Sequence, residues 1–332
     1  MSKVGQQVIT EDYALYNGDC IETMQSLPDE SIGFVCFSPP FSSLYSYSND
    51  HRDLSNCKTK EEFFTHFGYV VEQLTRLVMP GRIVAVHCMD LPMFKNQGDE
   101  IGIWDFPSGL REVFDSFGWI FHARIMVWKD PLIAATRTKS IGLAHKQIVK
   151  DSSICRTGIA DQILVFRKSG ENPKPIKHPR GLSEYYGERS IPKNLDHYIA
   201  MQQELQGDGI EPNPYDGRKD KRSHWIWQQY ASPVYFDVRE TRVLPYRGGR
   251  DPDDQRHICP LQLDVVERCM ELWSTEGDTF LTPFGGIGTE AFVAVKNGRK
   301  AILAELKTSY FRQAVKNLQS AKKQRSEGFG GI

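Results

Sequence analysis

No two of the seven cysteines stand in a Cys-x-x-Cys spacing, and their number is odd. Neither a metal site nor a disulfide framework is therefore expected, and free thiols in a reducing cytoplasm are the simple reading. No apolar run approaches the ~20 residues that span a bilayer, so no membrane partner is expected. The opening residues Met1 to Gln7 lack the apolar core of a signal peptide. Charge of one sign is missing too: 41 Lys and Arg stand against 42 Asp and Glu. A polyanionic partner would have to meet one face rather than the whole surface. Nor does a Gly-x-Gly-x-x-Gly open the chain, which argues against a dinucleotide oxidoreductase.

At 332 residues, with 40% apolar and 25% charged, the chain can bury one large α/β core, or a core plus an insertion. Residues 13–16 read as a short strand, 21–27 as a helix and 32–37 as a buried strand. A polar, tyrosine-rich loop follows over 42–56. Over 60–77, the apolar positions Phe63, Phe64, Phe67, Val70, Val71, Leu74 and Leu77 mark an amphipathic helix. Pro80-Gly81 then turns the chain into a strand at 83–86, with a helix at 110–117 and a strand at 121–128. This alternation predicts a Rossmann-like α/β fold with a doubly wound, mostly parallel sheet. The pattern lapses over the basic stretch 130–160, returns as a strand at 161–168, and lapses again over 170–223, where only 194–205 looks helical. From Asp264 it resumes: helix to Trp273, strand 279–281, helix 289–297, strand 301–305, helix 309–318. The expected organisation is two halves of one domain, 1–129 and 236–320, around an inserted region at 130–235, with 321–332 as a flexible tail.

Two motifs carry chemistry. The strand at 32–37 runs into Ser38-Pro39-Pro40-Phe41. Each proline lacks an N–H and holds φ fixed, so the carbonyls at this strand end escape helix pairing and project stiffly. Rigid acceptors beside an aromatic ring suit the gripping of a planar base by its exocyclic amine. Near the other end, Thr282-Pro283-Phe284-Gly285-Gly286-Ile287-Gly288-Thr289 sits between a strand and a helix. Its glycines let a ligand approach the backbone closely at a helix N-terminus. Glu305 closes the next strand, twenty residues after Gly285. A nucleotide-binding α/β unit places an acid there to accept from ribose hydroxyls.

Ser-Pro-Pro-Phe resembles the catalytic motif of amino-directed DNA methyltransferases, the N4-cytosine and N6-adenine enzymes. Pro283-Phe284-Gly285-Gly286-Ile287-Gly288-Thr289 is similar to their Asp-Pro-Phe-x-Gly-x-Gly-Thr segment, with Thr282 in place of the aspartate. Asn17-Gly18-Asp19-Cys20 is similar to the family's Gly-Asp element, and His257-Ile258-Cys259-Pro260-Leu261-Gln262 to a diverged His-Pro-x-Gln-Lys-Pro segment. The catalytic motif precedes the cofactor motif, the permuted order of the β group. The resemblance covers roughly residues 13–128 and 255–318. It implies the S-adenosylmethionine-dependent methyltransferase fold, with S-adenosyl-L-methionine as cofactor. The implied cofactor residues are Asp19, Cys20, Gln262, Thr282, Pro283, Phe284, Gly285, Gly286, Gly288, Thr289 and Glu305. Ser38, Pro39, Pro40 and Phe41 are the implied catalytic set.

The resemblance further implies double-stranded DNA as partner, in the cytoplasm of a bacterium or a phage-infected host, and leaves monomer and homodimer open. The inserted region would then recognise the target, with Arg137, Lys139, Lys146, Lys150 and Arg156 on phosphates and Tyr45 and Tyr47 lining the base pocket. Serine at the first motif position is associated in this family with N4-cytosine and aspartate with N6-adenine, so the former is favoured and the latter is the alternative. A methyltransferase of RNA or protein amides, and a DNA-binding homologue impaired through Thr282, are further alternatives. No nuclease motif is evident, so a companion restriction activity would belong to another chain.

Overall fold

The computed structural model describes residues 5–41, 50–93, 102–131, 145–155, 157–178, 181–183, 227, 229–249 and 260–328. Its frame is a nine-stranded sheet of β1 (Gln6–Ile9), β2 (Tyr13–Asn17), β3 (Ile32–Phe37), β4 (Val78–Met89), β7 (Ile120–Val127), β8 (Asp161–Arg167), β9 (Val234–Tyr235), β10 (Thr279–Thr282) and β11 (Lys300–Glu305). The order is β1-β2-β11-β10-β3-β4-β8-β7-β9. Strands β2, β11, β10, β3 and β4 run parallel, whereas β1 and β8 are antiparallel to their neighbours. A separate two-stranded sheet joins β5 (Leu91–Met93) to β6 (Gly102–Trp104).

Strand β3 is buried along its whole length, because helices cover both faces of the sheet. From Phe34 onward side chains alternate between the two faces, and the irregularity before Phe34 puts Ile32 out of that alternation. Ile32, Val35 and Phe37 join one core with helices α1 (Cys20–Gln25), α2 (Lys60–Leu77) and α3 (Phe106–Ser116). Phe34 and Cys36 join the other with α5 (Leu263–Trp273), α6 (Thr289–Lys296) and α7 (Thr308–Gly328). A short helix, α4 (His145–Lys150), belongs to neither. Helix α2 has the bounds its apolar spacing predicts, and Thr59 caps it by accepting from the Glu62 N–H.

The doubly wound sheet expected from sequence is present, and the differences lie at its margins. Edge strand β1 goes unpredicted. Pro80-Gly81 lies inside β4 rather than before it, beside a register irregularity between Ile32 and Phe34 of β3. Strand β8, within the segment assigned to the insertion, lies in the main sheet between β4 and β7. Residues 321–328, expected as a flexible tail, continue α7. Ala321 is buried there, and Lys322 and Arg325 reach Asp12 at 3.0 and 3.3 Å, which ties the helix down. The helix expected at 194–205 lies outside the described residues.

One buried ion pair holds the entry to β10. Arg82 on β4 and Asp278, just before β10, are both essentially inaccessible and bond to each other. Arg82 also donates to the Gly33 carbonyl (2.6 Å) and the Lys174 carbonyl (2.9 Å), while the Asp278 carboxylate accepts from the Thr275 N–H (2.8 Å). Removing one partner strands the other charge in the interior. Asp278→Ala is expected to cost about 3–5 kcal/mol of stability, read from urea denaturation; a loss below about 1 kcal/mol would show that the pair is dispensable.

Candidate active site

The two motifs meet because their strands are neighbours. Phe280 and Leu281 of β10 pair in parallel with Phe34 and Val35 of β3, so both strands end at one sheet edge. There the ring of Phe37, the last residue of β3, packs on that of Phe284, just past β10, with centroids 5.6 Å apart. Chain direction reverses its progress here: β3 continues outward to β4, and β10 to β11 on the opposite side. Such a switch point leaves a crevice at the carboxyl ends of the strands.

On the β10 side, the glycine turn is shaped by close contacts. A Cβ on Gly285 would lie 2.2 Å from Leu303 Cγ. Gly288 caps α6 at φ +85°, where a Cβ would meet Ala314 at 3.1 Å. At Gly286, by contrast, a Cβ would meet nothing within 4 Å among the described residues, which leave this face of the backbone open. Glu305 holds the turn: its Oε2 accepts from the Gly286 N–H (2.7 Å) and its Oε1 from the Lys307 N–H (2.8 Å). Gly18 donates to the Glu305 carbonyl (3.1 Å), and Asn17 Nδ2 to the carbonyls of Glu305 (2.9 Å) and Leu306 (3.1 Å). This brings the Asn17-Gly18-Asp19-Cys20 element beside the acid. Asp19 itself caps α1, accepting from the N–H groups of Ile21 (2.8 Å) and Glu22 (3.1 Å). Cys20 follows it, with burial pushing its thiol far up.

Two polar atoms here are buried without a hydrogen-bond partner among the described residues: Thr282 Oγ1 at the end of β10 and Gln262 Oε1 at the head of α5. Such atoms ask for a partner. Thr289 and Glu290 open α6 and are also buried. Burial pushes the Glu305 carboxyl up to about 7. Burial also lifts Glu290, with the Glu305 charge adding, to about 8, although its own backbone N–H pulls the other way. Both acids would be favoured in their ionised form by a nearby cation.

On the β3 side, Pro39 is buried and Ser38 half-buried. Ser38 Oγ lies 2.8 Å from His87 Nδ1 on β4, and His87 Nε2 lies 3.0 Å from Asp161 Oδ2 at the start of β8. Lys129, just past β7, reaches the same Oδ2 at 2.5 Å. Burial alone would raise the Asp161 carboxyl, but Lys129 and His87 together hold it down at about 2. Sequence reading missed all three partners. The half-buried Phe41 ring meets Phe106 edge-on, centroids 6.3 Å apart.

The profile of the DNA methylase family, which groups N6 and N4 methyltransferases, matches residues 32–316. The chain belongs to that family. It is 26% identical over 301 residues to the Type II methyltransferase M.BglII of Bacillus subtilis, and 23% identical over 310 residues to the Type II methyltransferase M.BamHI of Bacillus amyloliquefaciens. These alignments take in 89% and 93% of this chain but only 66% and 58% of those relatives. In fold it is similar to the putative DNA modification methylase TTHA0409 of Thermus thermophilus complexed with S-adenosyl-L-methionine (TM-score 0.60, 19% identity, 92% of this chain and 93% of that one). It is similar also to the cytosine-N4-specific PvuII DNA methyltransferase (TM-score 0.54, 16% identity, 99% and 98%).

Of the residues expected to contact DNA, Lys150 is exposed on α4 and Lys146 belongs to the same helix. Tyr45, Tyr47, Arg137, Lys139 and Arg156 lie outside the described residues, so the structure does not relate them to the crevice. Among the described residues no helix is long and apolar enough to cross a membrane.

The raised carboxyl of Glu290 has a measurable consequence. Its folded value near 8 exceeds the ordinary 4.5, so between these the native protein keeps a proton that the unfolded chain releases. That contribution to stability is full below the ordinary value and is lost as pH rises toward about 8. Glu290→Gln should therefore flatten the fall in urea midpoint across that window in cofactor-free protein; an unchanged slope would count against a buried neutral acid.

Proposed function

We propose that this methylase transfers a methyl group to the exocyclic amino group of a base flipped out of double-stranded DNA, using S-adenosyl-L-methionine, with N4 of cytosine favoured over N6 of adenine. The observation that carries the reading is the shared sheet edge: the Ser38 corner and the Gly285–Glu305 turn face one crevice.

The residues fit the cofactor. Gly286 opens to it, Thr282 Oγ1 and Gln262 Oε1 supply buried unsatisfied polar atoms, and Glu305 retains lone pairs for hydroxyl donors after its two backbone bonds. Glu290 and Glu305 would favour a cationic ligand. When bound, S-adenosyl-L-methionine supplies an activated methyl group on a sulfonium. The protein need provide no nucleophile of its own, only position and electrostatics.

Ser38 and the Pro39 carbonyl are placed as acceptors for the two amino hydrogens of the base, drawing its nitrogen lone pair out of conjugation. Phe41 offers a ring against which the base stacks, offsetting part of the few kcal/mol of unstacking. A hydroxyl rather than a carboxylate at position 38 supports the cytosine preference, by the family association of serine with N4 transfer. Target recognition is assigned to the 130–235 region outside β8 and β9.

Ser38→Ala should cut transfer to DNA on the order of 100-fold, measured with tritiated cofactor, while calorimetric affinity for the cofactor holds. Retention of wild-type turnover would remove Ser38 from the mechanism. Glu305→Ala should weaken cofactor binding by about 1.5–3 kcal/mol, the worth of hydrogen bonds to a charged group. Nucleoside mass spectrometry of DNA from expressing cells reads the base directly: N4-methylcytosine is expected, and N6-methyladenine alone would overturn the cytosine preference.

A further inference from the structure

Behind Ser38 stands a continuous polar chain drawn from four separate strands or strand ends. Ser38 follows β3, His87 lies in β4, Asp161 begins β8 and Lys129 follows β7. The His87 side chain is only 9% exposed and that of Asp161 2%, so their mutual bond is sheltered from water. Direction can be assigned along it. The Asp161 carboxylate, held ionised by Lys129, has no hydrogen to give, so His87 Nε2 carries one and donates it. A neutral imidazole protonated at Nε2 has a bare Nδ1, which accepts from the Ser38 hydroxyl. The Ser38 hydrogen is thereby committed inward, and its oxygen lone pairs are left for the crevice.

We propose that His87, backed by Asp161, is the positioning residue that makes Ser38 an acceptor for an exocyclic amino hydrogen and then takes up the proton that methylation releases. This rests on the reading of the crevice as a methyl-transfer site. The amine nitrogen forms a bond to the methyl carbon as the methyl–sulfur bond breaks, and the electron pair of that bond stays on sulfur. The nitrogen now bears two hydrogens and a positive charge. One of these protons passes to Ser38 Oγ while the original Ser38 proton moves to His87 Nδ1, leaving a neutral methylated amine. The resulting imidazolium lies between a neutral serine and the Asp161 carboxylate, which stabilises it as an adjacent buried anion does. Lys129 shares that carboxylate and opposes its protonation, so the proton stays on the ring until solvent removes it.

A His–Asp pair that merely stitched β4 to β8 would predict different behaviour. The test uses the full chain, tritiated S-adenosylmethionine and bacterial genomic DNA under single-turnover conditions, with cofactor affinity by calorimetry. His87→Ala should slow transfer on the order of 100-fold with cofactor affinity kept within about twofold, and added imidazole should restore at least about tenfold by filling the vacated space. Asp161→Asn keeps the packing but offers an amide donor toward Nε2, which favours the wrong tautomer; it should slow transfer to a similar degree without imidazole rescue. This second variant serves if His87→Ala does not fold. A wild-type rate in either variant would overturn the proposal, as would a loss of rate matched by a loss of cofactor affinity, or a His87→Ala defect that imidazole leaves untouched. Absence of transfer by the wild-type protein would instead overturn the proposed function, and this inference with it.

Discussion

The parallel pairing of β10 with β3 is the constraint on which the rest of the molecule depends. It joins Leu281 to Val35, residues from opposite ends of the chain, and it is what makes one crevice out of two motifs. The helices follow from it: with β3 and β10 central, both faces of the sheet must be covered, α1–α3 on one and α5–α7 on the other. The Arg82–Asp278 pair fixes the start of β10 from β4, across β3, so the register of the site is held by a charge as well as by packing.

Charge is handled differently on the two sides of the crevice. On the β10 side, the buried Glu290 and the half-buried Glu305 have carboxyls lifted toward neutrality, an environment that favours a cation. On the β3 side, Asp161 is buried but kept ionised by Lys129, and it backs a histidine that touches Ser38. The first arrangement suits holding a sulfonium, the second suits accepting a proton. Under the proposed methyl transfer, their adjacency would give the crevice a direction, with the donor of the methyl group on one side and the sink for the displaced proton on the other.

Much of this was legible in the chain itself. The apolar spacing of Phe63 through Leu77 specified α2 to the residue, because a 3.6-residue period over five turns has no strand reading. The glycine turn with Glu305 after it was legible because close backbone approach demands glycine whatever the tertiary context. Edge strand β1 was not, since an exposed strand need not alternate. The last turns of α7 were not either: their polar surface looks like a frayed end, and the buried Ala321 and the contacts of Lys322 and Arg325 with Asp12 that tie them down are tertiary.

By itself, then, the sequence determined the alternating α/β frame, the strand-end positions of Ser38 and the Gly285 turn, and the acid at 305, since each follows from local periodicity or from residue types with few other uses. Tertiary structure alone decided that His87, Asp161 and Lys129 stand behind Ser38. Strand β8 enters the sheet antiparallel, so its first residue rather than its last lies at the edge where β3 and β4 end. Nothing local to Asp161 encodes that reversal; it is a property of which strand the chain comes back to, and in which direction.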